Sequence, residues 1–383
     1  MSSKSKQVKL NNYYSVDTNP NENYLKISTS ERSLVENYIN DTFPDSRNEI
    51  ELSKICSNFF YQSYAIVINN KKLLLKISLD PDNQKLSIEK NSLECIPDIL
   101  TPKIISYTKK DEDGIEFLLT TWENGESFDI FGVNDLIYNF GTLCAVIDGV
   151  HETENNNAID FKKKFLQNES VLSIFETMDN KDILIFEKLV DLNIFDLKKI
   201  FIKIKENYLP QYKEDVSVLS HGNIKKSNVL YLSGYIKLIN FENSFKCDLY
   251  YSLFKNITDL DLYYNEKTVK NFLTKYYKMS KILGDLNLDE FLSKYEEKKK
   301  LNMVLLFQDL LCGILFHFVV YGAHYKSKYL IKYMNVYLSL KPVIEEIFPE
   351  YIKSFDKLFF TVMPTVKTYD MKELKIIAEM SEE

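Results

Sequence analysis

The chain has 383 residues, enough for two compact units that each bury a core, and its 45% hydrophobic and 27% charged residues exclude wholesale disorder. The formal charge is -7 and the only arginines are Arg32 and Arg47, so the arginine-bearing basic stripe of a nucleic-acid binder is absent and no nucleic-acid partner is expected. Five dispersed cysteines (Cys56, Cys95, Cys144, Cys247 and Cys312) form no CxxC pair, and Met1 to Asn11 is polar and lysine-bearing, so free thiols and a cytoplasmic location are expected.

Residues 1–27 are rich in Asn, Ser, Lys and Tyr without a period, which predicts an irregular arm. Ser28 and Glu31 then stand at capping-box spacing ahead of Leu34, Val35, Tyr38 and Ile39, predicting a short leading helix. From Ile50 the pattern becomes that of strands, at Ile50 to Ile55, Tyr61 to Ile68, Lys72 to Ser78, Ile104 to Thr108 and Ile115 to Thr121. Asn69 and Asn70 suit the turn between the second and third runs, because Asn tolerates positive φ. A helix at Lys85 to Cys95 interrupts the meander, so residues 28–124 are expected as an N-terminal lobe of five antiparallel strands plus a helix.

After Gly125 the pattern is helical. Helices are predicted at Val133 to Val150, Phe161 to Met178, Lys181 to Tyr208, Tyr250 to Ile257, Lys267 to Leu283, Leu288 to Lys299, Met303 to Ala323, Tyr329 to Leu340 and Ile347 to Phe360. One loop-and-strand island, residues 219–242, interrupts them, and 125–383 is expected as a larger, mainly helical C-terminal lobe in an α+β chain. Met303 to Ala323 approaches bilayer length, but Gln308, Asp309 and His317 inside it predict a buried core helix and no membrane association. Tyr325, Tyr329, Tyr333, Tyr337 and Leu340 recur at helical spacing, as a core stripe or as a face for a protein partner.

The island runs Leu219, Ser220, His221, Gly222, Asn223, Ile224, Lys225, Lys226, Ser227, Asn228, then Ile239, Asn240, Phe241 and Glu242. In order and spacing it resembles the catalytic loop and metal-binding strand of the aminoglycoside phosphotransferase and choline kinase family, whose usual forms are HGD, a downstream N, and IDFE. The resemblance implies a two-lobed protein-kinase-like fold that moves a phosphoryl group from ATP or GTP to a small hydroxyl-bearing molecule. It implies that Lys76 faces the nucleotide phosphates and is held by Glu89 on the following helix. Thr120 to Glu126, including Thr121 and Glu123, then look like the hinge against the nucleotide base. Asn223 and Lys225 fall at the catalytic-loop positions, and Asn228, Asn240 and Glu242 at or near the metal site. Asp248 matches the first aspartate of the family's GDPxxDLA pattern, whose second is Ser252 here.

Two positions depart from that pattern, because Asn223 and Asn240 stand where the family has aspartates. An amide takes no proton at neutral pH and brings no charge to a metal, so Mg2+ binding is expected to be weak or absent. Loss of the base alone costs roughly 10²- to 10⁴-fold in rate. Ser57 to Gln62 also lacks the glycines with which many kinases cover the phosphates. Three readings follow: a pseudokinase that still binds nucleotide or a small ligand, an active kinase in which Glu242, Asp248 or a substrate group supplies the missing charge, and a non-catalytic scaffold. His151, His221, His317 and His324 form no metal or triad spacing, and His221 is expected to organise backbone.

Overall fold

The computed structural model describes residues 27–44, 50–57, 61–79, 84–110, 114–127, 140–145, 147–148, 159–176, 187, 191–224, 228–232, 235–260, 262, 266–321 and 329–360. Helix α1 (Thr29–Thr42) starts at the expected capping box: the Glu31 amide donates to Ser28 Oγ at 3.2 Å, and the Ser28 amide donates to Glu31 Oε2 at 2.8 Å. Its buried face of Val35, Tyr38 and Ile39 lies on the sheet, with Tyr38 stacked on Phe117 at 4.4 Å. Burial pushes the Glu31 carboxyl up, but Lys54 and the Ser28 groups outweigh it and hold its pKa at about 2.

Strands β1 (Glu51–Ser57), β2 (Gln62–Ile68), β3 (Lys71–Ser78), β4 (Ile104–Lys109) and β5 (Glu116–Thr121) form one antiparallel sheet in the order β1-β2-β3-β5-β4. Asn69 (φ 51°) and Asn70 (φ 62°) make the tight β2–β3 turn. Strand alternation then divides β3. Leu73, Leu75 and Ile77 enter the core shared with α1, and Lys76 points to the opposite face, where helix α2 (Lys85–Cys95) carries Glu89.

Beyond β5, β6 (Glu126–Ser127), β8 (Val229–Leu232) and β9 (Tyr235–Leu238) form a three-stranded sheet, and β7 (Ser217–Ser220) pairs with β10 (Phe245–Asp248). The two-residue β6 and four-residue β10 are too short for a periodicity signal, and neither was expected. The remainder is helical: α3 (Phe161–Glu176), α4 (Ile194–Asn207), α5 (Leu249–Asp259), α6 (Glu266–Met279), α7 (Leu288–Tyr321), α8 (Tyr329–Ile347) and α9 (Ile352–Phe360). This is the expected α+β class.

Several expected boundaries move. The two helices at Leu288 to Lys299 and Met303 to Ala323 are one 34-residue helix, α7, because the polar run between them changes the helix's surroundings without supplying a Gly or Pro to stop it. Helix α8 passes through Pro342 and ends at Ile347, where a helix was expected to begin. Helix α4 starts at Ile194, capped by Asn193 and preceded by Asp191 at φ 56°; most of the expected earlier stretch, and the N-terminal arm, lie outside the described residues. Among the described residues no helix is long and apolar enough to cross a membrane. Of the tyrosine stripe, Tyr337 and Leu340 are buried and Tyr333 packs against Gly313; the side chains of Tyr325 and Tyr329 lie outside the described residues.

The described residues fall into two units, one drawn from Met1–Gln167 and Lys213–Lys299, the other from Asn168–Tyr212 and Lys300–Glu383. The expected boundary at 124–125 lies inside the first unit. That unit holds all the strands and every site position described below.

Candidate functional site

Lys76 on β3 and Glu89 on α2 are both buried, and Lys76 Nζ donates to both carboxylate oxygens of Glu89, at 2.8 and 2.7 Å. Burial pushes the Glu89 carboxyl up and the Lys76 charge opposes it. Leaving either partner alone in this environment would cost several kcal/mol, roughly 3–5, so the pair stands or falls together. Lys85, one turn earlier on α2, donates to Asn243 Oδ1 at 2.7 Å and ties the helix to the segment after β9. The Tyr61 ring lies 5.0 Å from Lys76 Nζ.

The loop after β7 is built around His221 and Gly222. The Asn223 amide can only donate, so its 3.4 Å contact makes His221 Nδ1 an acceptor; Nε2 then carries the proton and donates to the Ile239 carbonyl at 2.9 Å. Burial lowers the His221 pKa and keeps the ring neutral, and the ring packs against Phe241 at 4.5 Å. His221 therefore organises backbone, as expected. Gly222 has φ +79°, and a Cβ there would lie 2.0 Å from the Asn243 carbonyl oxygen, so only glycine fits. Asp259 on α5 accepts from the Ile224 amide at 3.2 Å and pairs with Lys255 at 3.4 Å, anchoring the loop to the helix behind it.

The loop and the strand end meet through two asparagines. Asn240, at φ +66°, accepts from Lys76 Nζ through Oδ1 at 2.9 Å and donates through Nδ2 to Asn228 Oδ1 at 2.8 Å. Asn228 donates in turn through Nδ2 to the Asn223 carbonyl at 2.9 Å. The direction of this chain is fixed at both ends. An ammonium can only donate and a carbonyl can only accept, so each amide must turn its oxygen toward Lys76 and its nitrogen away. Glu242 is buried beside them, with Oε2 3.9 Å from Lys76 Nζ and no hydrogen-bond partner among the described residues.

The divalent ion implied by the fold can be tested against these donors. Mg2+ takes hard, preferably anionic oxygens. Here Asn240, at the position where the resemblance implies an aspartate, and Asn228 are neutral amides whose oxygens already accept N–H groups, and the atom Asn240 turns toward Asn228 is nitrogen. Among the described residues no cluster of three or more His, Cys, Asp or Glu is placed to hold a metal. The residues present do not fit the ion.

The remaining expected residues are distributed around this centre. Thr121 Oγ1 donates to Glu123 Oε1 at 2.7 Å, and Glu123 pairs with Lys237 on β9 at 2.9 Å, so these side chains brace the segment after β5. Trp122, the single tryptophan, lies under Lys72 at 3.7 Å. Asp248 caps α5 by accepting from the Tyr250 amide at 3.2 Å, and also accepts from Lys298 at 3.1 Å. Lys225 lies outside the described residues. Lys85, Lys237, Asn243 and Asp259 were not anticipated, since a charged or amide residue on a helix or loop carries no sequence mark of the partner it will meet.

No protein-family model matches the chain, and no curated protein sequence matches it. Among solved structures, it is similar to the choline kinase LicA from Streptococcus pneumoniae at 14% identity and a TM-score of 0.54, covering 81% of this chain and 99% of that one. It is similar to an ethanolamine kinase from Plasmodium vivax at 11% identity and a TM-score of 0.53, covering 85% and 91%. LicA in complex with AMP matches at 15% identity and a TM-score of 0.52, covering 83% and 100%. Likeness at these identities is likeness of fold, and with the site geometry above it gives the chain the protein-kinase-like fold that choline and ethanolamine kinases share.

Proposed function

We propose that this chain is a kinase-like protein that binds a nucleotide, ATP or GTP, or a related phosphate-bearing small ligand, with little or no phosphotransfer. The observation that carries the reading is the buried Lys76–Glu89 pair standing complete beside Asn240. A lysine and a glutamate buried on adjacent elements for packing alone would be an expensive choice, because apolar residues of similar volume usually serve a core as well or better. Their retention fits a site that still receives an anion. The AMP complex of LicA supports a nucleotide as that ligand.

The chemistry is where the site falls short. Asn223 stands where a carboxylate would accept the hydroxyl proton, and Asn240 where one would hold the metal against the phosphates. What remains can bind and orient: Lys76 offers charge, and the segment Thr121 to Gly125 offers backbone groups for a base edge. Any acceptor is a small hydroxyl-bearing molecule, and the protein works in the cytoplasm. An active kinase is the second reading, and one observation favours it: the buried Glu242 Oε2, without a hydrogen-bond partner among the described residues, brings a carboxylate within 3.9 Å of Lys76 Nζ. A scaffold acting through its C-terminal helices has less support, since the described members of the tyrosine stripe are packed.

Trp122 lies in the segment that would face the base, and it is the only tryptophan, so its fluorescence reports the site directly. Titration with ATP or GTP is expected to give a saturable change that Lys76→Ala abolishes. A change that persists unaltered in Lys76→Ala would place the ligand elsewhere.

A further inference from the structure

The amide chain has a consequence for which form of the ligand this site accepts, an inference that rests on the phosphate-binding reading above. Each amide nitrogen carries two hydrogens, and only one of each is used: Asn240 Nδ2 donates to Asn228 Oδ1, and Asn228 Nδ2 donates to the Asn223 carbonyl. No partner for the second hydrogen of either amide is present among the described residues. Neither group can be turned over to present oxygen instead. Reversing Asn240 would set its NH2 against the Lys76 ammonium, and reversing Asn228 would set its oxygen against the Asn223 carbonyl and its NH2 against that of Asn240. At Asn240, where an aspartate would offer an anionic oxygen to a cation, the site therefore offers an N–H donor next to an ammonium, and Asn228 beside it offers another.

We propose that this site takes its nucleoside phosphate without a divalent cation, with Asn240 and Asn228 donating directly to phosphate oxygens, and that Mg2+ opposes binding. A phosphate oxygen free of metal has lone pairs for those N–H groups. The same oxygen bound to Mg2+ brings a positive charge against the amide hydrogens and Lys76, and the complex must either lose the ion or forgo the donors. Independence of metal would follow from a merely weakened ion site. Antagonism follows only from the reversed polarity of the amides.

The test is calorimetric titration of the full-length protein with ATP, first in EDTA and then with excess Mg2+. The expected result is binding at least about tenfold weaker in Mg2+, equivalent to ~1.4 kcal/mol, and a reversed preference in Asn240→Asp, which replaces the N–H face with a carboxylate. Asn228→Asp, expected to reduce the antagonism, keeps the comparison available if Asn240→Asp does not fold. Equal or tighter binding in Mg2+ by the unaltered protein would overturn this inference and leave the nucleotide-binding reading standing. Binding in neither condition would overturn both.

Discussion

Asn223 and Asn240 each differ from an acid by a single amide nitrogen, and the proposed loss of phosphotransfer rests on that difference. Restoring both acids tests whether the rest of the machinery is intact. The double variant Asn223→Asp/Asn240→Asp is expected to hydrolyse ATP in Mg2+ at least roughly 10²-fold faster than the unaltered protein, the lower end of what a general base contributes. Steady-state ADP release measures it. No gain from a variant that still binds nucleotide would mean that other parts of the site have also been lost. Gly222 shows the opposite kind of constraint. At φ +79°, with the Asn243 carbonyl where a Cβ would sit, it admits no exchange.

At the scale of elements, one buried acid away from the site predicts a pH dependence. Asp148, next to the helical residue Ile147, accepts from the Tyr276 hydroxyl of α6 at 2.5 Å, with Cys144 one turn earlier and Asn256 of α5 donating to the Cys144 sulfur at 3.7 Å. Burial raises the Asp148 pKa from 3.8 to about 7, against the opposing hydrogen bond from Tyr276. The folded state therefore holds this proton more tightly than the unfolded chain does. The stability it contributes is complete below pH 3.8 and is lost as pH rises to and through about 7, on the order of 4 kcal/mol in all. Chemical denaturation across that range is expected to show stability falling with pH, and Asp148→Asn is expected to flatten the profile. An unchanged slope in the variant would assign the dependence to other groups.

The elements also show how far sequence reaches. The capping box at Ser28, the Asn69-Asn70 turn and the five strands were legible because each is a local pattern with a local cause. So was the spacing from His221 to Asn228 and Asn240, and the pairing of Lys76 with Glu89, which a strand followed by a helix implies once the family likeness is seen. What was not legible is set by partners distant in sequence. The polarity of Asn240 is dictated by Lys76, 164 residues earlier, and the fixing of α2 by Asn243 joins residues 158 apart. Helix α7 reads as two helices in the sequence because composition changes at the polar run within it, although that run holds no Gly or Pro to end the helix.

At the scale of the whole molecule, the chain keeps the protein-kinase-like fold over most of the length of proteins with which it shares 11 to 15% identity. Packing tolerates that divergence as long as the periodicity of apolar positions survives. A buried charged pair such as Lys76–Glu89 is less forgiving, because removing either partner leaves an uncompensated charge. The most direct test of nucleotide binding at this pair is thermal unfolding of the purified protein with ATP or GTP in the absence of divalent cations, beside the Lys76→Ala variant. A ligand at about 100 times its Kd stabilises the native state by about 2.7 kcal/mol, so the expected result is a clear upward shift in Tm that Lys76→Ala removes. No shift with either nucleotide, with or without Mg2+, would contradict nucleotide binding and leave the fold as a scaffold.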